Sequence, residues 1–198
     1  KPIVLDENKI SSELNEQIIL VSGAAGSIGS GMVRQIAKYG PSQLILLDQA
    51  ESPLYDLQNE LSIEFPGLNF EVVIGDIRSR ERMFNVFSHF KPKFVFHAAA
   101  YKHVPLMEVN PSEAVLTNVL GTKNLVDLAS ENGVLKFVMI STDKAVNPTN
   151  VMGASKRIAE IYAQSFPLSR HFFNFCAFWN LFCKSGKFYN FLIIWSGN

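Results

Sequence analysis

The chain has 198 residues, with 18 Lys plus Arg against 18 Asp plus Glu. That length suits a single domain, and the neutral balance offers no electrostatic case for nucleic acid or anionic lipid as a partner. No apolar run is long enough to span a membrane, and the spacing of Cys176 and Cys183 suggests neither a metal site nor a disulfide.

Taken in chain order, the first element is an apolar, β-branched run, Gln17-Ile18-Ile19-Leu20-Val21, which reads as a buried strand. It runs into Gly23-Ala24-Ala25-Gly26-Ser27-Ile28-Gly29, after which Ile28, Met32, Val33, Ile36 and Ala37 fall at helical spacing. A glycine turn between strand and helix is the setting in which this pattern binds a dinucleotide. Gly23 permits the tight turn, Gly26 lets backbone approach a diphosphate, and Gly29 lets helix pack on strand. The helix then offers free N–H groups and a partial positive charge to phosphate.

A second strand, Leu44-Ile45-Leu46-Leu47, ends at Asp48, 19 residues past Gly29. A carboxylate there can accept from both ribose hydroxyls and repel a 2′-phosphate, which favours NAD over NADP; a helix cap or turn residue is the other reading. A third strand, Phe70–Ile74, leads to Gly75-Asp76-Ile77, where Asp76 can reach adenine. A fourth, Phe94-Val95-Phe96, ends at His97-Ala98-Ala99-Ala100, whose small side chains leave room for a cofactor. A fifth, Phe137-Val138-Met139-Ile140, feeds Ser141-Thr142-Asp143-Lys144, with Lys156 on the next helix. Titratable groups just beyond a buried strand stand where an open α/β sheet holds its ligand; a solvated loop with a surface ion pair is the alternative.

The spacing predicts strands near 17–22, 43–48, 69–75, 93–97 and 136–141, and helices at 27–39, 53–64, 79–90, 111–132 and 151–165. Gly40-Pro41, Pro66-Gly67 and Gly133 punctuate helix ends. Such alternation implies an α/β fold, a Rossmann-type doubly wound parallel β-sheet flanked by helices. The composition then changes abruptly. Residues 166–198 hold eight of the sixteen Phe, both Trp and both Cys, and no acid. All 18 acidic residues but only fifteen of the 18 basic ones lie at or before Glu160, leaving −3 there and +3 beyond. The expected division is therefore an NAD(P)-binding domain over 1–165 and an atypical Phe-rich tail over 166–198. The chain begins at Lys1 without an initiator Met or targeting pattern, and is expected to be a piece of something longer.

With these motifs read, residues 1–165 resemble the extended, nucleotide-sugar branch of the short-chain dehydrogenase/reductase superfamily. The likeness is to its polysaccharide-biosynthesis group of UDP-N-acetylglucosamine 4,6-dehydratases. The residues that carry it are Gly23–Gly29, Leu-Leu-Asp-Gln-Ala-Glu-Ser at 46–52, His-Ala-Ala-Ala-Tyr-Lys-His-Val-Pro-Leu-Met-Glu at 97–108, Thr-Asn-Val-Leu-Gly-Thr at 117–122, and the stretch 141–156. The resemblance implies a UDP-sugar substrate and a homo-oligomer. It also implies a soluble catalytic part on the cytoplasmic face, in a parent anchored in the bacterial inner membrane. It assigns cofactor binding to Gly23, Ala25, Gly26, Ser27, Ile28, Gly29, Asp48, Asp76, Ile77, Ala98, Ala99, Ala100 and Lys156. Lys102 and His103 fall near the substrate, where a plain surface loop is equally open.

The general superfamily pattern has Tyr-x-x-x-Lys, but Met152 precedes Lys156 here, and methionine has no exchangeable proton. The long 4,6-dehydratases share that methionine, and in them acid/base work passes to the group that is here Thr142, Asp143 and Lys144. The implied reaction moves hydride from sugar C4 to NAD, removes the C5 proton with Lys144, protonates the departing 6-hydroxyl with Asp143 and returns hydride to C6. An ordinary Asp titrates near 3.9 and Lys near 10.4, so such roles need the acid raised and the base lowered, as desolvation under a bound sugar would do. Gly31 departs from the family's Glu, and Ala177–Lys184 only faintly echo an Arg-Phe-Gly-Asn-Val-Leu-Gly-Ser loop. The expectation is a frame or sequence damaged past about residue 165, with the substrate lobe missing. The rival readings are a UDP-sugar epimerase or C4 oxidoreductase, and a non-catalytic dinucleotide-binding remnant.

Overall fold

A computed structural model describes residues 7–165 and 173–177. Six parallel strands form one sheet: β1 (Ile18–Ser22), β2 (Gln43–Asp48), β3 (Phe70–Ile74), β4 (Phe94–His97), β5 (Lys136–Ser141) and β6 (Phe173–Ala177). Their order is β3-β2-β1-β4-β5-β6. Both sheet faces are covered, which is why the strands read as continuous apolar runs. Alternate residues serve opposite cores. Ile19, Val21, Leu44, Leu46 and Phe96 face the helices α1 (Glu7–Leu14), α2 (Ser27–Ala37) and α3 (Glu51–Glu64). Leu20, Ile45, Leu47, Val95 and Phe137 face α4 (Arg80–Phe90), α7 (Thr122–Glu131) and α8 (Val151–Ser165).

The five expected strands are present, each within a residue or two of its predicted bounds. Two short helices were not expected. Helix α1 precedes the first strand and buries Ile10 and Leu14 completely. Helix α5 (Val104–Val109) follows the fourth strand, and α6 (Pro111–Ala114) begins where the long 111–132 helix was predicted. That long helix is interrupted, because Val115–Gly121 are π-helical before α7 resumes. The sixth strand lies inside the Phe-rich stretch. Its backbone pairs with β5 from Phe137↔Phe173 to Ser141↔Ala177.

The order reverses direction between β1 and β4. Strand β1 pairs with β2 on one side and β4 on the other, so the connections leaving β1 and β4 run to opposite sides of the sheet. A crevice opens there, beyond the carboxyl ends of the strands.

Candidate active site

The glycine turn lies in that crevice. Gly23 has φ +71°, and a Cβ on it would stand 2.4 Å from the Ala99 backbone nitrogen. A Cβ on Gly29 would stand 1.9 Å from the Gly23 carbonyl oxygen, so α2 can seat on the turn only with glycine there. Gly26 is the N-cap of α2 and supplies no side-chain cap. The first N–H groups of that helix therefore have no side-chain acceptor, and an anion can take that place.

Around the turn, Ala25, Asp48, Asp76, Ile77, Ala98, Ala99, Ala100, Tyr101 and Thr117 line a cleft of about 210 Å³. Asp48 accepts from the Ala25 N–H at 2.9 Å on one oxygen and from the Ala50 N–H at 3.0 Å on the other. It thus holds the turn, and each oxygen keeps a lone pair for a ligand. The Asp76 carboxylate accepts from the Arg78 backbone and guanidinium. Burial opposes its ionisation, but these bonds outweigh that and hold Asp76 below the usual carboxylate range. Thr117 belongs to the π-helical segment. Its hydroxyl is buried with no hydrogen-bond partner, the only such side-chain atom among the described residues.

A second cleft of about 250 Å³ shares Ala98, Ala100 and Tyr101 with the first, and so continues it. Its other walls include Ile28, Lys102, His103, Ser141, Thr142, Lys144, Met152 and Lys156. Lys102 reaches back across the crevice to the Ser27 hydroxyl at 3.3 Å, beside the glycine turn. Met152 is 4% exposed and packs with Met107 and Ala114.

Lys156 is buried, and its ammonium donates to the Ile140 carbonyl at 2.6 Å. Burial lowers its pKa to about 8, partly countered by the charge of Glu160. Glu160, buried one turn along α8, accepts from the Ser141 hydroxyl and from Arg157. Asp143 and Lys144 form a 3_10 turn just past β5 (Asp143–Ala145). The Asp143 carboxylate accepts from the Thr142 hydroxyl at 3.0 Å, the Lys144 N–H at 3.0 Å and the Lys144 ammonium at 3.4 Å. The Thr142 bond is the first reason its pKa lies below normal, the opposite of what acid work at neutral pH requires. Lys144 lines the second cleft, whereas Asp143 lies beside it.

Two polar anchors lie beneath the site: Asn118, which the sequence marks as a structural residue steadying the sheet edge beside the cofactor, and His97, to which it assigns no such role. His97 is fully buried, with Nδ1 2.8 Å from the Ser22 hydroxyl and Nε2 2.8 Å from that of Thr122. Thr122 spends its own proton on the Asn118 carbonyl, so Nε2 must donate and Nδ1 must accept. Burial, then the charge of Lys156, lowers the pKa of His97 to about 3. The Asn118 amide accepts from the Tyr101 N–H, and donates to the Tyr101 carbonyl and the Ser155 hydroxyl, which fixes the floor shared by the two clefts. No spacing rule marks these residues, since their partners lie 17 to 75 positions away. The residues present suit a dinucleotide: an uncapped helix start, a turn that a Cβ would obstruct, and an orphaned hydroxyl in the cleft wall.

Fold and site together define a Rossmann-type α/β domain of the short-chain dehydrogenase/reductase kind. Residues 19–188 match the profile of a family described as polysaccharide biosynthesis proteins, and the chain belongs to that family. It is 53% identical over 165 residues to the capsular polysaccharide biosynthesis protein CapD of Staphylococcus aureus, covering 83% of this chain and 28% of that one. It is 38% identical over 143 residues to a UDP-N-acetylglucosamine 4,6-dehydratase (inverting) of Campylobacter jejuni, covering 72% and 41%. The X-ray structure of Pen from Bacillus thuringiensis superposes with a TM-score of 0.70 at 35% identity, covering 75% of this chain and 44% of that one. The chain thus spans between 28% and 44% of the length of these relatives.

Proposed function

We propose that this chain is the dinucleotide-binding half of a nucleotide-sugar 4,6-dehydratase that uses NAD and acts on a UDP-N-acetylhexosamine. The carrying observation is the continuity of the two clefts: the glycine turn and Asp48 line one, and Thr142, Lys144 and Lys156 line the other. The likeness to the Campylobacter dehydratase supports the reaction type, and Asp48 supports NAD over NADP.

Bound NAD would supply the acceptor for hydride from sugar C4 and the donor that returns it to C6. Gly23, Ala25, Gly26, Ser27, Ile28 and Gly29 would cradle the diphosphate, with Lys102 adding positive charge at Ser27. Asp48 would hold the adenosine ribose, and Asp76 and Ile77 the adenine. Ala98, Ala99 and Ala100 leave space for the cofactor, and Thr117 finds its missing partner on it. Lys156 would hold the nicotinamide ribose, and Met152 serves as a wall with no proton to offer. Lys144 as a free amine takes the C5 proton and returns it to C5 as hydride reaches C6, while Asp143 gives a proton to the leaving 6-hydroxyl, so one water departs. The Thr142 hydroxyl, already bonded to Asp143, relays the proton of the 4-hydroxyl to that carboxylate, which is how Asp143 gains the proton it gives up. A sugar lying over this pair strips water from it, which raises a carboxylic acid and lowers an amine. Lys102 and His103 face the same cleft and would contact the sugar nucleotide. A cytoplasmic site in a membrane-anchored parent is part of the same reading. Among the described residues no helix is long and apolar enough to cross a membrane.

The test has two stages. NAD at a hundred times its Kd should add about 2.7 kcal/mol, raising Tm by about 5–10 °C for a chain this long. NADP should do much less. In a full-length relative, incubation with NAD and UDP-N-acetylglucosamine should give a product lighter by one water. Absence of any NAD-induced shift would end the cofactor reading, and a C4 epimer in place of the dehydrated sugar would end the dehydratase reading.

A further inference from the structure

The loop after β3 carries an ion pair that the proposed reaction leaves unexplained. Arg78 sends Nε to Asp76 Oδ2 at 2.7 Å and Nη2 to the same oxygen at 2.6 Å. Its backbone N–H takes Oδ1 at 2.9 Å, and its remaining Nη1 reaches Glu113 Oε2 on α6 at 2.9 Å. Asp76 lines the first cleft. Partly exposed ion pairs of this kind add modestly to stability, and the loop does not need this one. The Asn124 amide already donates to the carbonyls of Ile77 and Arg78 at 3.0 and 3.1 Å. The Ile77 side chain packs so closely on Gly121 that a Cβ there would lie 2.5 Å from it. The backbone is therefore pinned without Arg78, and what the guanidinium fixes is the rotation of one carboxylate.

We propose that Arg78 is a specificity-determining positioning residue, which locks the Asp76 carboxylate so that the cleft selects a 6-amino purine over a 6-oxo purine. Both guanidinium contacts load Oδ2, so Oδ1, with one backbone partner, keeps a lone pair for a ligand N–H. The arginine also keeps the carboxylate ionised, and an ionised carboxylate only accepts. A 6-amino group donates to it; a 6-oxo group presents a lone pair and is repelled. Glu113 anchors the far end of the guanidinium from the segment that leads into Thr117, so both polar walls at this end of the cleft are tied together.

The inference rests on the dinucleotide reading above, and its test separates the two. Calorimetric titration of the chain with NAD and with nicotinamide hypoxanthine dinucleotide should show a preference for NAD of about tenfold or more, the size expected when a hydrogen bond to a charged group is replaced by an unpaired acceptor. Arg78→Leu should still bind NAD but bring the two ligands to within about threefold. Arg78→Lys, which keeps charge without the fork, should also lose most of the preference and covers the case in which the leucine variant fails to fold. Equal weakening of both ligands, with the ratio kept, would make Arg78 merely structural and overturn the proposal. Failure of the unaltered chain to bind either dinucleotide would strike the cofactor reading instead.

Discussion

His97 shows how much one side chain can settle. It is neutral in the fold because both ring nitrogens are committed, one accepting and one donating, and no water reaches it. The folded pKa of about 3 lies below the ordinary 6.5, so the unfolded chain binds the proton first as pH falls. The stability tied to His97 is therefore complete above pH 6.5 and is lost progressively from there toward pH 3. Unfolding free energies from denaturant titrations between pH 6 and 4 should fall at up to about 1.4 kcal/mol per pH unit from this group. His97→Phe should flatten that slope while costing about 1–3 kcal/mol at pH 7, because Ser22 loses its acceptor. Thr117 gives the opposite kind of case. Its hydroxyl is buried and unpartnered, so Thr117→Val should leave Tm unchanged or raised. NAD affinity should nevertheless drop about tenfold if the cofactor is the missing partner, and a titration on the folded variant measures it. Asp48 and Asp76 were legible in the sequence because each follows a buried strand at a telling place. What their oxygens bond to was not, since that depends on which loops the topology brings together.

Among the elements, the strands could be read as short continuous apolar runs, and the long helices by their period and the glycine or proline that follows them. The π-helical turn could not. It shifts the backbone bonding by one residue and leaves the apolar pattern nearly intact, yet it brings the wall residue Thr117 and the clamp residue Asn118 to the site. Helix α1 escaped because eight residues with two buried apolar positions are too few to establish a period. The start of α8 shows what a packed element does for chemistry. A Cβ on Gly153 would stand 2.3 Å from the Lys144 carbonyl oxygen. The helix thus seats directly against the turn that presents Asp143 and Lys144, its own start held by Glu108 on the Val151 N–H and Asn150 on the Gly153 N–H. Gly153→Ala must push that turn away. NAD binding should be kept, since the glycine turn is untouched. With the same change made in a full-length relative, exchange of the sugar C5 proton with deuterated solvent should slow about a hundredfold, the scale at which a displacement of about 1 Å acts on a reacting group. Equal exchange rates in the two proteins would remove Lys144 from the proton-transfer step.

At the scale of the molecule, the sheet separates two tasks. Strands β1 to β4 and the loops beyond them build most of the first cleft, while β5, the turn after it and α8 supply Ser141, Thr142, Lys144, Met152 and Lys156 to the second. Strand β5 lies between β4 and β6, and β6 comes from the stretch whose composition differs most from the rest. The break in composition was plain in the sequence, but the pairing was not, because a five-residue strand among scattered aromatics has no period that identifies it. Removing residues 166–198 would leave β5 as an apolar edge, open to pairing with other chains. The shortened chain should therefore bind NAD within a few-fold of the intact one, because every residue of the first cleft lies at or before Thr117. It should also sediment as larger species at micromolar concentration, and amide exchange in Lys136–Ser141 should quicken on the side that faced β6. If NAD binding disappeared with the tail while the remainder stayed folded, the two clefts would be energetically inseparable, and the cofactor site would have to be drawn to include the sixth strand.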